Sequence, residues 1–107
     1  MRSVDRKDYT INGTDEIDAF ADQPLSIKYK ATMSAPRVHA SCLEWLEPGL
    51  VPGARVLDVG CGSGYLCAAF FEMTYDGTKA HVVGIDHIKE LAKFSLSNLA
   101  KKYRKAV

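Results

Sequence analysis

An acid followed by three alternating glycines is the stretch of this sequence best suited to hold a ligand. Asp58 precedes Gly60, Gly62 and Gly64 in the segment RVLDVGCGSGY, residues 55–65. Glycine reaches backbone angles that a Cβ forbids, and it lets the chain approach a ligand closely. A buried strand that turns through glycines into a helix N-terminus is typical of a nucleotide-type cofactor site. The spacing therefore predicts a site of that kind.

A second acid supports the same prediction. Asp86 ends the short apolar run HVVGID, residues 81–86, and lies 22 residues after Gly64. An acid at this place can accept hydrogen bonds from both hydroxyls of a ribose. The dinucleotide fingerprint GxGxxG would require glycine at position 65, which is Tyr65 here. A nicotinamide site is therefore disfavoured, although it stays open beside the plainer interpretation of a tight turn and an ordinary exposed acid.

The pattern GxGxG resembles motif I of the Rossmann-like S-adenosylmethionine-dependent methyltransferases. S-adenosyl-L-methionine has no pyrophosphate, so the loop would only have to let the methionine moiety lie close to the backbone. Asp58 would then face the ammonium group of the ligand, directly or through water. Val59 and the glycines are expected to line the same cofactor site.

The elements around these residues form a β-α-β-α unit. Short apolar runs at 55–59 and 81–86 predict two strands, and 65–73 predicts a helix that is apolar nearly all round. A long last helix carries an apolar stripe from Ile88 to Tyr103. Its basic end is expected to be solvated and to suit the helix dipole; it comprises Lys101, Lys102, Arg104 and Lys105. Parallel strands must be covered on both faces, so we expect this unit to be part of a longer, doubly wound sheet.

The first part of the chain gives weaker signals. Residues 1–24 are polar and are expected to be irregular, and 25–33 predicts an extended segment or a short hairpin. Ser34, Ala35 and Pro36 predict a helix start with a capping hydroxyl. The following helix, 36–47, is expected to turn one face inward and to end at Pro48-Gly49; that face carries Val38, Cys42, Trp45 and Leu46.

The composition of the chain disfavours several classes of function. The chain has 107 residues and a formal net charge of +1, so one small domain is expected and no overall field favours nucleic acid or an anionic membrane. No apolar stretch is long enough for a membrane span. The three cysteines, Cys42, Cys61 and Cys67, lack CxxC spacing, which disfavours disulfides and a metal site. We therefore expect a cytoplasmic protein without a metal.

The segment ADQPLSIKYKATMSAPRVHA, residues 21–40, closely resembles a stretch of the protein-L-isoaspartate (D-aspartate) O-methyltransferase family. The matching residues are Asp22, Pro24, Ile27, Tyr29, Thr32, Ser34, Ala35, Pro36, His39 and Ala40. VDRKDY at 4–9 and GIDHIKEL at 84–91 are also similar to the family. The resemblance implies an α/β, Rossmann-like fold of which this chain holds the N-terminal half. Residues 1–33 would form a substrate-side segment and 34–107 half of the cofactor-binding domain.

The resemblance also implies an activity. Family members transfer a methyl group from S-adenosyl-L-methionine to the free carboxylate of L-isoaspartyl residues in damaged proteins, and a monomer is expected. By the resemblance, Ser34 lies beside the substrate carboxylate and the methyl donor, with the backbone of Ala31, Thr32 and Met33 lining the site. His39 would approach the cofactor, and His87 would touch the adenine or cap the last helix. From the residues alone, Ser34 is a helix cap and His39 is structural.

One departure from the family pattern bears on the fold. Lys28 stands where the family usually has glycine, which can serve a special backbone angle. Two other interpretations remain beside the repair enzyme. The chain could be a non-catalytic fragment or binding module derived from such an enzyme, or it could belong to another small-substrate methyltransferase.

Overall fold

The computed structural model describes residue 1 and residues 3–103, so Arg104 and Lys105 of the predicted basic end lie outside the described residues. Four helices, four strands and two 3₁₀ turns follow one another in this part of the chain. They are a 3₁₀ turn Arg6–Tyr9, α1 Glu16–Phe20, β1 Leu25–Ser26, β2 Thr32–Met33, α2 Pro36–Leu46, a 3₁₀ turn Glu47–Gly49, β3 Arg55–Val59, α3 Tyr65–Thr74, β4 His81–Ile85 and α4 Lys89–Tyr103. None of the helices described here is both long and apolar enough to span a membrane.

The predicted β-α-β-α unit is present with the predicted parallel pairing. β3 and β4 run side by side with Arg55 opposite His81 and Val59 opposite Ile85. Side chains alternate between the two faces of a strand, and on one face Val56 and Val82 pack against the buried cluster of Leu43, Ala69 and Phe70. Helices thus cover this face of the sheet.

Gly84 shows how closely the helices approach that covered face. A Cβ at this position would lie 2.7 Å from the sulfur of Cys67 and 2.9 Å from the Cβ of Cys61. Both cysteines are buried. A side chain at this position would therefore force Cys67 or Cys61 to shift.

The opposite face of the sheet is bare. Leu57 and Val59 of β3 are 60% and 72% exposed, and Val83 and Ile85 of β4 are 57% and 47% exposed. The expectation that two parallel strands would lack cover is therefore confirmed for this face. An apolar surface of this kind is the mark of a sheet that packs against further elements.

The N-terminal arm, defined here as residues 3–35, is part of the main core. Its buried apolar side chains pack against α3 and α4 in one cluster, which contains Val4, Tyr9, Ile27, Met33, Tyr65, Ala68, Leu91 and Tyr103. The arm is therefore held in place by burial, the dominant favourable contribution to folding.

The arm is more regular than its composition suggested. The prediction that residues 1–24 are irregular was wrong at the two short helical turns. Asp5 accepts a hydrogen bond from the backbone N of Lys7 at 3.0 Å, and Asp15 accepts one from that of Asp18 at 2.9 Å. Each acid satisfies an N–H that the first turn leaves unpaired. The predicted hairpin is confirmed, since Leu25 pairs with Met33 in an antiparallel ladder.

Helix α2 begins at Pro36 as predicted, but two details differ. Ala35 occupies the N-cap position, and no side chain caps the helix, so the capping role assigned to the Ser34 hydroxyl was wrong. The inward face was also wrong, because His39 and Leu43 are buried whereas Trp45 is 80% exposed. Val38 and Leu46 are exposed as well, and Cys42 is half-buried. On the inward face, His39 stacks on Tyr65 and Leu43 packs against Ala69 and Phe70.

Candidate functional site

The glycine loop, residues 60–64, is tied to the end of β4. The backbone N–H groups of Gly60 and Cys61 both donate to the carbonyl of Ile85, at 2.8 and 3.0 Å. That of Gly62 donates to Oδ2 of Asp86 at 3.0 Å. All three loop glycines have positive φ, from +55° to +93°, a region that side chains disfavour. The loop shape therefore depends on glycine and on the end of the neighbouring strand.

A pocket of about 90 Å³ lies between the glycine loop and the N-terminal arm. Seven of the predicted site residues line it: Thr32, Met33, Ser34, His39, Asp58, Gly60 and Gly62. Five residues outside that predicted set also line it: Ile27, Cys61, Ser63, Tyr65 and Leu66. The volume is below the roughly 300–1,000 Å³ of a typical ligand site, so this pocket can receive only one part of a cofactor-sized molecule.

Asp58 is the acid that borders the pocket. Its Oδ2 accepts a hydrogen bond from the sulfur of Cys67 at 3.5 Å. None of the ion pairs among the described residues includes it. Burial raises the pKa of the Asp58 carboxyl, and the charge of Asp86 adds to the effect. A half-buried acid that lacks a cation in this part of the chain fits a ligand ammonium group, which would offset the burial of its charge.

His39 borders the pocket from the first turns of α2. Its ring is 5% exposed and stacks on Tyr65 with 4.7 Å between ring centroids. Burial, together with the charge of Arg6, lowers the pKa of His39 to about 4. The imidazole is therefore neutral near pH 7, with one nitrogen as donor and the other as acceptor. Neighbouring Ser34 is half-buried, and its carbonyl accepts from Nη2 of Arg6 at 2.9 Å.

The other predicted site residues lie outside the pocket lining. Ala31 packs against the main core, and the side chain of Val59 lies on the bare face of the sheet. Gly64 approaches α4 so closely that a Cβ would lie 3.1 Å from that of Ser95. These three positions therefore lie around the pocket without lining it.

Asp86 and His87 differ from each other in exposure. The side chain of Asp86 is 6% exposed, because Oδ2 holds Gly62 and Oδ1 accepts from the backbone N of Ile88 at 2.9 Å. Asp86 thus forms a turn directly before the last helix, and it ties that turn to the glycine loop. The side chain of His87 is 90% exposed, with Nδ1 3.5 Å from Asp86. It remains free to meet a ligand that covers this edge.

Sequence reasoning missed two residues that support the pocket. Asn98 is buried in α4 and donates from Nδ2 to the carbonyl of Ser63 at 3.0 Å, which fixes the glycine loop from behind. Arg6 is buried in the arm and bonds to Ser34 and His39. For Asn98 a signal existed, since it lies seven residues after Leu91 on the buried side of the helix. For Arg6 the signal was its place in VDRKDY, the segment at 4–9 that resembles the family.

Comparisons with known proteins agree on one family. The model of the family described as protein-L-isoaspartate(D-aspartate) O-methyltransferase matches residues 1–107. Protein-L-isoaspartate O-methyltransferase 1 of Arabidopsis thaliana is 48% identical over 99 residues, which are 92% of this chain and 41% of that protein. Protein-L-isoaspartate O-methyltransferase of Caenorhabditis elegans is 43% identical over 101 residues, 94% of this chain and 42% of the relative.

A solved structure agrees in fold as well. A Plasmodium falciparum protein named for the same activity, crystallised in complex with S-adenosyl-L-homocysteine, superposes with a TM-score of 0.83 at 33% identity. The match covers 97% of this chain and 46% of that one. The chain thus spans less than half the length of the relatives described here, and the predicted fold, an incomplete Rossmann-like methyltransferase domain, is confirmed. With its whole length matched by one family model, this chain belongs to the protein-L-isoaspartate (D-aspartate) O-methyltransferase family.

Proposed function

We propose that this chain carries part of the active site of an enzyme that transfers a methyl group from S-adenosyl-L-methionine to the free carboxylate of L-isoaspartyl residues, thereby repairing damaged proteins. One observation carries the proposal. The arm segment Thr32–Ser34, His39 of α2 and the glycine loop converge on one pocket, in a chain whose whole length matches the family. In this proposal residues 1–33 lie on the substrate side, and residues 34–107 belong to the cofactor domain.

The chemistry asks mainly for positioning. An α-carboxyl group has a pKa of roughly 3.3–3.7, so the nucleophile is already charged near neutral pH and needs no strong base. S-adenosyl-L-methionine supplies an activated methyl group when bound. The chain would hold the two reactants in line, with the Ser34 hydroxyl beside the substrate carboxylate and Asp58 at the ligand ammonium group. Orientation of this kind can supply about 7–11 kcal/mol of a barrier.

The glycine loop also supports this cofactor over a dinucleotide. A pyrophosphate needs several free backbone N–H groups at the start of a helix. Here the N–H groups of Gly60, Cys61 and Gly62 are bonded to Ile85 and Asp86, and that of Gly64 donates to the carbonyl of Cys61 at 2.9 Å, so the loop glycines themselves offer no free donor. The dinucleotide fingerprint would also require glycine at position 65, which is Tyr65. A nicotinamide-type site is therefore the weaker proposal.

The bare face of the sheet favours a second possibility for the isolated chain. Leu57 and Val59 on that face are exposed, and the pocket is small. We expect the 107-residue chain alone to bind S-adenosyl-L-methionine weakly or not at all, which titration calorimetry would measure. Tight binding together with methylation of an isoaspartyl peptide would contradict the expectation that this chain by itself is a non-catalytic fragment.

A chimera tests the proposed activity directly. Residues 1–107 would replace the matching residues of the Arabidopsis thaliana relative, and methyl transfer would be measured on an isoaspartyl peptide and on the same peptide with normal aspartate. We expect transfer to the isoaspartyl peptide alone. In that chimera, Ser34→Ala should lower turnover at least tenfold while cofactor affinity stays nearly constant. Ser41→Ala, at an exposed position of α2, is the matched control. Equal turnover in the two variants would remove the role given to Ser34.

Location and partners follow from the same proposal. All three cysteines are free thiols, which a reducing compartment maintains, and this supports a cytoplasmic enzyme. The partners would be proteins or peptides that contain isoaspartyl residues, and the full-length enzyme would act as a monomer. Size-exclusion chromatography of the chimera would test the oligomeric state.

A further inference from the structure

Arg6 is a buried cation that forms no direct ion pair in the described part of the chain, although burial, which lowers its pKa, is partly opposed by the charge of Asp22. Its residue is 4% exposed, and none of the ion pairs among the described residues includes it. A buried charge costs several kilocalories per mole unless hydrogen bonds satisfy it, so such a residue needs a structural explanation. The hydrogen bonds of the guanidinium provide that explanation.

The guanidinium joins three separate segments through neutral acceptors. Nε donates to the carbonyl of Ala19 in α1 at 2.8 Å, and Nη2 donates to that of Ser34 at 2.9 Å. Nη1 lies 3.3 Å from Nδ1 of His39 in α2. The ring of Tyr65 lies beneath, with 5.9 Å between its centroid and Cζ of Arg6. Two of these partners, Ser34 and His39, line the pocket.

The contact between Arg6 and His39 determines which nitrogen of the imidazole ring carries the proton. An arginine side chain has donors and no acceptor, so Nδ1 must accept and the ring proton must sit on Nε2. Nε2 of His39 makes no hydrogen bond with any described residue. In this part of the chain, every fully enclosed side-chain nitrogen or oxygen has a hydrogen-bond partner. Nε2 is therefore not fully enclosed, and the surface available to this buried residue is the pocket that it lines.

We propose that Arg6 is a positioning residue, which holds His39 in the Nε2–H tautomer, fixes the carbonyl of Ser34, and so presents a hydrogen-bond donor to an oxygen acceptor of the ligand. The link to the ligand rests on the proposed function, whereas the tautomer does not. Arg6 acts through its two neighbours and is absent from the pocket lining. Its buried charge is satisfied because the planar fork spreads its donors over three nitrogens that face three acceptors, whereas lysine carries all its donors on one nitrogen.

Nitrogen-15 NMR of the 107-residue chain tests the proposal, because the shifts of the two ring nitrogens report which one carries the proton. The chain has three histidines, and the exposed His81 and His87 can be assigned with His81→Gln and His87→Gln. We expect His39 near pH 7 to show a protonated Nε2 and a hydrogen-bonded Nδ1. A protonated Nδ1 in the unaltered chain would overturn the proposal.

Arg6→Met should then move the Nδ1 resonance of His39 to that of an unbonded acceptor and populate the other tautomer. The control is Lys7→Met, which removes a cation from the same turn without a contact to His39. An unmoved resonance in Arg6→Met, or an equal shift in both variants, would overturn the proposal. If Arg6→Met does not fold, the tautomer of the unaltered chain decides. Because no step requires methyl transfer, an inactive chimera would sink the proposed function and leave this result standing.

Discussion

The pocket has two walls that are built in different ways. The glycine loop has residues that suit its backbone angles, since glycines occupy each position of positive φ, at 60, 62 and 64. The N-terminal arm turns at Lys28, Tyr29 and Lys30, which also have positive φ, of 70°, 54° and 59°, but are not glycines. The two walls meet where Gly62 faces Ile27, because a Cβ at Gly62 would lie 3.2 Å from Cδ1 of Ile27.

The difference shows where each wall obtains its stability. A non-glycine residue in the left-handed region costs roughly 1–2 kcal/mol. The glycine loop avoids this cost, whereas the hairpin tip bears it at three successive residues. The arm offsets the strain by burying Ile27 and Met33, and by the hydrogen bonds of Arg6. The backbone angles of one wall are therefore permitted by its own residues, whereas those of the other are held by what it packs against.

The largest loss of stability is expected at Gly64, where glycine is needed both for its positive φ and for its close approach to Ser95. In Gly64→Ala the alanine would have a disfavoured φ of +93°, and its Cβ would lie 3.1 Å from the Cβ of Ser95. Strain of about 1–2 kcal/mol and overpacking of about 1–3 kcal/mol together should lower the free energy of unfolding by about 3–4 kcal/mol. Gly60→Ala is the matched control, since its φ is +80° but nothing lies within 4 Å. It should lose only the strain, and urea titration would compare the two. Equal losses would mean that α4 does not restrict the loop.

A smaller effect, which depends on pH, is expected at His39, the α2 residue that Arg6 of the arm contacts. The pKa of His39 in the fold is about 4, below its ordinary value of 6.5. As pH falls below 6.5, the unfolded chain binds a proton before the folded one, so the free energy of unfolding falls with pH. At 1.36 kcal/mol per pKa unit, the loss between pH 6.5 and 5 is about 2 kcal/mol. Thermal unfolding at a series of pH values would measure it.

A variant isolates the contribution of His39. Asp58, whose pKa is raised, binds its proton more readily in the folded chain and opposes the loss at the acid end of this range. His39→Gln keeps an amide that can accept from Arg6 but does not titrate. The variant should therefore lose most of the dependence on pH between 6.5 and 5. An unchanged slope in this variant would show that the imidazole is not kept neutral by its surroundings.

The contrast between the walls also sets how far sequence reasoning could go. The strands, the helices after them and the glycine loop were predictable, because apolar runs and glycine spacing are local features. Lys28 was noted as a departure from the family pattern, and its positive φ shows why glycine would suit that position. Asp86 was assigned to a ligand, but its carboxylate also ties the loop to the last helix.

Long-range contacts explain most of what the sequence did not reveal. Trp45 was expected in the core on helical spacing, but it is exposed because His39 and Leu43 take the inward face. His39 can be buried because two residues from distant segments interact with its ring: Arg6 through a hydrogen bond and Tyr65 through stacking. No pattern within α2 states that a partner 33 residues earlier will supply a hydrogen bond. A buried polar network is specified by pairs of residues, and a single sequence shows only its members.

The smallest effect tests the hairpin tip itself. Lys28→Gly removes a side chain from φ +70° and relieves roughly 1–2 kcal/mol of strain. Glycine also gives the unfolded chain more freedom, which takes back up to about 1 kcal/mol. The net result should be a gain of about 0.5–1 kcal/mol, or a few degrees in the unfolding temperature. Lys93→Gly, at an exposed position inside α4, should have the opposite sign, because glycine in a helix costs about 1 kcal/mol. A loss in both variants would mean that the Lys28 side chain makes contacts worth more than the strain. The strain at the tip would then be offset by Lys28 itself and not by the buried residues and hydrogen bonds elsewhere in the arm, against the contrast drawn above.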